Sequence, residues 1–97
     1  MSAGDFNFFT KVTASGTTFP ATAQIIVPIK WVQGFIIGNE GSSVIQYSFD
    51  GITVHGDLTP NSNTSSIPFI NRQCSALWLC VPSGVSSLCR FEAWSSH

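Results

Sequence analysis

The sequence predicts an all-β single domain, built as an antiparallel β-sandwich or jelly roll of about eight short strands. Short runs of β-branched and aromatic residues recur along the chain, with Gly, Pro, Asn or Ser between them. No long stretch shows the apolar repeat of an amphipathic helix. The length of 97 residues allows one hydrophobic core, so we expect a single domain over residues 1–97.

The predicted strands follow these runs in order along the chain. They cover residues 6–12, 22–27, 32–37, 43–49, 52–58, 66–69, 76–81 and 87–94. The tetrapeptide Gly38-Asn39-Glu40-Gly41 is predicted to be a turn, with two glycines available for positive φ, and residues 58–66 form a polar loop. Residues 1–12 could also serve as an arm that contacts neighbouring subunits.

The dipeptide Asp50-Gly51 predicts a two-residue type I′ turn between the fourth and fifth strands. Counting outward from this turn places Phe49 opposite Ile52 and Tyr47 opposite Val54. The residues that then share an apolar face over the core are Ile45, Tyr47, Phe49, Ile52, Val54 and Gly56. Those predicted to face water or a partner are Val44, Gln46, Ser48, Thr53, His55 and Asp57.

The last two strands differ in how many of their faces they bury. In the eighth strand Cys89, Phe91 and Ala93 alternate with polar or larger residues, so these three are predicted to point into the core. The run 76–81 is apolar on both faces, which predicts a central strand that is covered on both sides.

The composition indicates a protein that associates with other chains. Only 9% of its residues are charged, against about 25% in an average soluble domain, while 43% are hydrophobic and the formal net charge is -1. A domain this short also exposes much of its surface unless an oligomer covers it. The few cations are scattered, so we expect no nucleic-acid partner.

The chain shows no signal for secretion or membrane insertion. No basic and apolar leader precedes Asp5, and the apolar run 25–37 is interrupted by Pro28 and Lys30. The odd set Cys74, Cys80 and Cys89 fits reduced, buried thiols better than a disulfide framework. We therefore expect synthesis in a reducing cytoplasm and no membrane partner.

The residues available for catalysis are few. Ser48, His55 and Asp57 share the predicted polar face of the hairpin, but no G-x-S-x-G motif or enclosing pocket accompanies them. The acidic residues stand mostly in turns or on exposed faces, and His55 with Asp57 offers only two neighbouring metal ligands. We therefore expect no enzyme, no catalytic residue, no cofactor and no metal site.

Aromatic residues are the remaining candidates for function. Phe8 and Phe9 are adjacent in the first strand, so one of them must face away from the core. Trp94 falls on the charged side of the last strand, Trp31 follows a proline break, and His55 lies on the polar side of the hairpin. The candidate interface residues are Phe8, Phe9, Trp31, His55 and Trp94.

The C-terminal half resembles small virion proteins of tailed bacteriophages. The resemblance lies in the segments 47–51, 53–56 and 77–79, in Leu58 with the Pro-containing loop that follows it, in Asn71-Arg72, and in the closing Glu92-Ala93-Trp94. It implies a capsid cement or decoration subunit in the virion, made in the host cytoplasm, that forms homo-oligomers, with a trimer favoured, and bridges coat proteins. A neck or tail component is an alternative within this class.

A carbohydrate-binding or receptor-binding tip is an alternative from a different class. Exposed Trp and Tyr side chains beside Asn and Asp can stack on sugar rings and form hydrogen bonds with them. A tip of this kind would bind a narrow set of glycans, whereas a cement subunit would bind none.

Overall fold

The computed structural model of the chain describes residues 6–27, 34–60, 65–70 and 75–95. These residues form eight strands and no helix, which confirms the predicted all-β class. The strands are β1 (Phe6–Ala14), β2 (Ile25–Ile26), β3 (Gly34–Asn39), β4 (Ile45–Ser48), β5 (Gly56–Leu58), β6 (Ser66–Ile70), β7 (Ala76–Cys80) and β8 (Ser87–Ser95). Each of them overlaps one strand predicted from the sequence.

The strands form two four-stranded antiparallel sheets. Sheet A has the order β1-β8-β3-β6, and sheet B has the order β2-β7-β4-β5. The chain is therefore folded as nested pairs, with β1 beside β8, β2 beside β7, β3 beside β6 and β4 beside β5. This nesting of an eight-stranded hairpin across two sheets is the jelly-roll arrangement, one of the two architectures expected from the sequence.

The core lies between the two sheets and follows the period-two pattern of their strands. Cys89, Phe91 and Ala93 of β8 are completely buried, as predicted, while the residues between them face outward. The Phe35 ring stacks on Phe69 and on Phe91, with centroid separations of 4.6 and 5.6 Å. Burying a side chain of this size contributes about 1.5–3 kcal/mol, so these rings hold the sandwich closed.

Strand β7 is central in sheet B, as predicted, but only its inner face is covered throughout. Leu77 and Leu79 are fully buried, whereas Ala76 and Trp78 on the outer face are half-buried. Next to it, the side chain of Gln24 extends the short strand β2. Its Nε2 donates to Leu79 O at 2.7 Å, and Leu79 N donates to its Oε1 at 3.0 Å.

The predicted two-residue turn at Asp50-Gly51 is wrong. Tyr47 pairs with Gly56 and Ile45 with Leu58, so β4 and β5 are joined by the loop 49–55. The cause lies in side-chain hydrogen bonds: Asp50 Oδ1 accepts from Ile52 N and Thr53 N, both at 2.8 Å. These bonds stabilise a wider Asx-type loop, which competes with the tight turn.

The wider loop also changes which side chains are exposed. The register differs by two residues from the predicted one, so Ile45 and Tyr47 still face the core. Ile52 and Val54, predicted to cover the core, lie in the loop and are exposed, with Ile52 at 85%. Ser48, predicted to face water, is fully buried, and its Oγ accepts from Asp50 N and Gly51 N.

The predicted turn at residues 38–41 is also placed differently. Gly38 and Asn39 belong to β3, and neither Gly38 nor Gly41 has a positive φ. Among the described glycines, Gly51 and Gly84 adopt that conformation, with φ of 80° and 79°. Gly41 is needed for a close approach instead, because a Cβ there would overlap Ser87 Oγ.

Two further expectations concern the N-terminus and the cysteines. Residues 6–12 are part of β1, an edge strand of sheet A that pairs with β8, and residues 1–5 lie outside the described residues. The contact of residues 1–12 with neighbouring subunits stays a prediction. Cys80 and Cys89 are free, buried thiols, as predicted. Cys74 lies outside the described residues.

Candidate functional site

The outer face of sheet A is the first candidate site. The alternation that buries Cys89 and Phe91 turns every second residue of β1, β8, β3 and β6 away from the core. The apolar residues on this outer face are Phe9, Ile36, Pro68, Ile70, Leu88 and Trp94. Ile70 is 74% exposed and Phe9 is 51% exposed, so the face presents apolar surface to its surroundings.

The adjacent residues Phe8 and Phe9 point to opposite sides of β1, as expected. Phe8 packs against the core, with its ring 6.1 Å from that of Phe91 in an edge-to-face arrangement. Phe9 lies on the outer face, and the guanidinium carbon of Arg90 is 5.2 Å from its ring centroid. Phe9 is therefore the surface aromatic of the pair, and Arg90 partly orders its ring through a cation–π contact.

Trp94 also lies on the outer face of sheet A, directly opposite Gly34 of β3. A Cβ at Gly34 would lie 2.6 Å from Trp94 Cζ2 and 2.7 Å from Phe69 O. The indole therefore fits against the bare backbone of Gly34, which holds its position. Trp94 is half-buried in this setting, and its remaining surface faces outward.

The charges on this outer face form two opposite pairs. Lys11 Nζ lies 2.8 Å from Glu40 Oε1, across β8, and Arg90 Nη2 lies 3.5 Å from Glu92 Oε1. The hydrogen bond from Lys11, together with the positive charges of Lys11 and Arg90, lowers the pKa of Glu40. Both described cations of this face thus have an acidic neighbour, and this pairing offsets part of the desolvation cost of burying them against a partner.

His55 lies away from the outer face of sheet A, in the loop 49–55. Its Nδ1 accepts a hydrogen bond from Phe49 N at 3.0 Å, and its ring is 5.1 Å from the Phe49 ring. Ser48 Oγ donates to Asp50 Oδ1 at 2.8 Å. The Ser48 hydroxyl and the His55 imidazole thus each have another partner. Ser48, His55 and Asp57, which share a face in the predicted hairpin, do not form a catalytic triad here.

A cleft on the outer side of sheet B is the second candidate site. Its volume is about 350 Å³, and it lies between the segment 17–19 and the loop 49–55. The residues that line it are Thr17, Thr18, Phe19, Gln46, Gly51, Ile52, Val54 and Cys80. They combine two hydroxyls and one amide with apolar groups and carry no formal charge, which suits a neutral ligand.

The buried thiols are poor nucleophiles in this fold. Burial raises the pKa of Cys89 to about 12, with a smaller contribution from the charge of Glu40. Burial and the charge of Asp57 also raise the pKa of Cys80, whose Sγ lies 3.6 Å from Gln46 Oε1. Since the thiolate is the reactive form, both groups behave as small apolar side chains.

Two other kinds of site have no candidate among the described residues. Within residues 6–27, 34–60, 65–70 and 75–95, no three His, Cys, Asp or Glu side chains lie close enough together to hold a metal ion. The same part of the chain contains no helix long and apolar enough to cross a membrane.

The structure brings together only part of the predicted interface set. Phe9 and Trp94 share the outer face of sheet A, whereas Phe8 packs inward, His55 lies in a loop, and Trp31 is outside the described residues. Ile36, Pro68 and Ile70 of the same face were missed. Pro68 was the available signal, because a proline within a strand marks a sheet edge.

Comparison of the chain with protein-family models, with curated proteins and with solved structures finds no match.

Proposed function

We propose that this chain is a structural subunit that binds other protein chains through the outer face of sheet A. The observation that carries the proposal is the exposed apolar surface of Phe9 and Ile70, with the outward part of the half-buried Trp94, on one sheet face whose described charges are paired. Large exposed apolar patches mark interaction sites, and burying this one gains about 25 cal/mol per Å² of apolar surface before the costs of association.

The proposal extends to a cement subunit on a bacteriophage capsid, which bridges coat proteins. This part depends on the resemblance of the C-terminal half to small phage virion proteins. The jelly-roll order adds support by analogy, because viral capsid domains often have this architecture. The mechanism is burial of surface, with no chemical step and no cofactor.

Particle binding tests this function. The wild-type chain should bind to particles of the encoding phage that were grown without its gene, and mass spectrometry should detect the chain in normal particles. The double variant Trp94→Ala/Ile70→Ser should lose at least tenfold in affinity, about 1.4 kcal/mol, because it removes apolar surface at the contact.

The matched control for this experiment is Ile26→Ser. Ile26 is 62% exposed, against 74% for Ile70, but lies on sheet B, so its substitution matches the Ile70→Ser part of the double variant at a place outside the proposed contact. Binding by Ile26→Ser but not by the double variant supports the proposal. Particles that lack the chain, or equal binding by all three proteins, would contradict it.

A glycan-binding tip is the second candidate, and the cleft on sheet B is the observation that favours it. Thr17, Thr18 and Gln46 offer hydroxyl and amide groups beside Phe19 and the apolar loop residues, without charge. A neutral sugar can form hydrogen bonds with these polar groups and pack against the apolar ones. A glycan array should then give a narrow set of hits that Thr17→Ala/Thr18→Ala loses, whereas the absence of any hit removes this candidate. Tyr47 takes no part, since it is buried in the core.

A further inference from the structure

The free edge of β1 differs from the other three sheet edges. Sheet A ends at β1 and β6, and sheet B ends at β2 and β5. Strands β2 and β5 have only two and three residues, which is too short to pair well with another chain. Strand β1 has nine residues in continuous register with β8, and none of them is proline.

Strand β6 is protected by Pro68. Asn39 N donates to Ser65 O at 2.7 Å. Asn39 and every second residue before it in β3 therefore form their backbone hydrogen bonds with β6. Because backbone groups alternate in direction along an antiparallel strand, Ser66, Pro68 and Ile70 direct theirs away from β3. Pro68 therefore removes an N–H donor at the free edge, a device that blocks pairing with another strand.

The backbone groups on the free edge of β1 can be assigned in the same way. Glu40 N donates to Leu88 O at 2.8 Å, so the backbone N–H and C=O groups of Leu88 point towards β3. Because this direction alternates along the strand, the backbone groups of Cys89, Phe91 and Ala93 point towards β1. In β1 their partners are Val12, Thr10 and Phe8. The N–H and C=O groups of Phe9, Lys11 and Thr13 consequently point away from the sheet, and no other described backbone group bonds to them.

We infer that β1 pairs with β1 of a second copy of this chain, antiparallel about a two-fold axis at Thr10. Thr10 is the middle residue of Phe6–Ala14, so this register pairs the strand over its whole length. It joins two copies of sheet A into one continuous sheet of eight strands.

The side chains of β1 favour the same register. Phe9 stands opposite the partner's Lys11 on the outer face, where the lysine side chain can lie over the phenyl ring. Phe8 stands opposite the partner's Val12 on the core side, where both are half-buried and apolar. An axis at Lys11 would instead place the two Lys11 side chains directly opposite each other. This register is unfavourable because the like charges repel and β1 contains no acidic residue to offset them.

This inference adds a partner and a symmetry to the structural role proposed above, and it uses the edge of β1 rather than the outer face of sheet A. Two-fold pairing gives a dimer, whereas the resemblance to phage proteins implies a trimer. Light scattering separates the two, because each chain contributes 10.4 kDa to the measured mass. The expected result is a mass of two chains.

The first test compares Lys11→Pro with Lys11→Ala. Both variants lose the ammonium group and its ion pair with Glu40, but only proline removes the outward N–H. Pro at this edge position leaves the bonds between β1 and β8 intact. Lys11→Pro should raise the dimer dissociation constant at least about tenfold above that of Lys11→Ala, because it removes one backbone hydrogen bond per chain.

The second test reads the register by disulfide cross-linking and does not depend on how Lys11→Pro folds. In a Cys74→Ser background, Thr10→Cys places two thiols at a non-hydrogen-bonded pair with Cα atoms about 4.5 Å apart, which a disulfide can span. Thr13→Cys is the control, since its two copies would lie about 20 Å apart along the strands.

A dimer that Thr10→Cys links and Thr13→Cys does not link supports the inference. A monomeric wild-type chain, a trimer, a Thr13→Cys link, or a Lys11→Pro dimer as tight as that of Lys11→Ala overturns it. The outcome is separable from that of the proposed function, because Trp94→Ala/Ile70→Ser leaves the β1 edge unchanged and should still dimerise. Loss of particle binding with retained dimerisation therefore identifies the outer face alone.

Discussion

The side-chain amide of Asn39 in sheet A donates from Nδ2 to the backbone carbonyl of Leu58 in sheet B, over 2.8 Å. The same Nδ2 donates to Ser43 O at 2.7 Å, and Oδ1 accepts from Gly41 N and from Ser87 Oγ. One buried side chain thus connects the two sheets and the turn between β3 and β4, with all its hydrogen-bonding capacity used.

We expect Asn39→Asp to reduce the free energy of unfolding by at least about 3 kcal/mol at pH 7, because a buried carboxylate would face two carbonyl oxygens. Urea denaturation measures this loss. Burial raises the pKa of such an acid, so the variant should regain stability as pH falls toward about 4, where the unfolded chain is also protonated. Ser42→Asp adds the same charge at an exposed site of the turn and should cost less than about 0.5 kcal/mol. Equal losses for the two variants would contradict the role of Asn39.

Gly34→Ala should destabilise the protein by about 1–3 kcal/mol, since the new methyl group would collide with Trp94 and Phe69 O. Gly38→Ala in the same strand is the control, because its Cβ would come no closer than 3.6 Å to Ser66 Oγ. Thermal unfolding should therefore separate the two variants clearly. If both behave alike, Trp94 does not lie against Gly34.

The loop 49–55 should resist acid. The backbone N–H groups of Thr53 and Ile52 and the hydroxyl of Ser48 hold the pKa of Asp50 well below its ordinary value. The stabilisation from Asp50 is thus complete above about pH 4 and is lost only as pH falls through its lowered pKa. The stability difference between wild type and Asp50→Ala should stay constant down to about pH 4 and then shrink. NMR titration of the Asp50 carboxyl carbon checks this, and a midpoint near 4 would exclude the hydrogen-bonded loop.

The two buried thiols should be unreactive in the folded protein. In a Cys74→Ser background, Ellman's reagent at pH 8 should modify neither Cys80 nor Cys89 until denaturant is added, because burial disfavours both thiolates. Cys80 should be the faster of the two on partial unfolding, since it lines the cleft on sheet B. Rapid reaction of Cys89 in the native state would be inconsistent with its place in the core.

The strands themselves could be predicted from the sequence, because alternation in segments such as β8 reports burial directly. The register between β4 and β5 could not, because Asp50 and Ser48 bond to nearby backbone groups and override the turn that Asp-Gly usually forms. The position of Asn39 in a strand could not be predicted for a similar reason. An Asn between glycines and acids is typical of a turn, and only the folded chain shows that its amide reaches Leu58.

The outer face of sheet A was predictable only in part. Trp94 and Phe9 could be placed on one side of their own strands from alternation. Their position beside Ile36 and Ile70 follows from the pairing of β3 with β6 and β8, between strands far apart in sequence. No local pattern encodes such pairing, so the extent of the face emerged only from the topology.

The nested order of the strands has a consequence for how the chain folds. Strand β1 completes its ladder only when β8 arrives, and Phe6 pairs with Ser95 at the opposite end of the chain. Contacts of such long range fold slowly, so β4 with β5 should form early and the β1–β8 ladder late. During synthesis on the ribosome β1 emerges first and waits longest, with both edges unpaired. Until β8 pairs with it, β1 is therefore open to association with other chains.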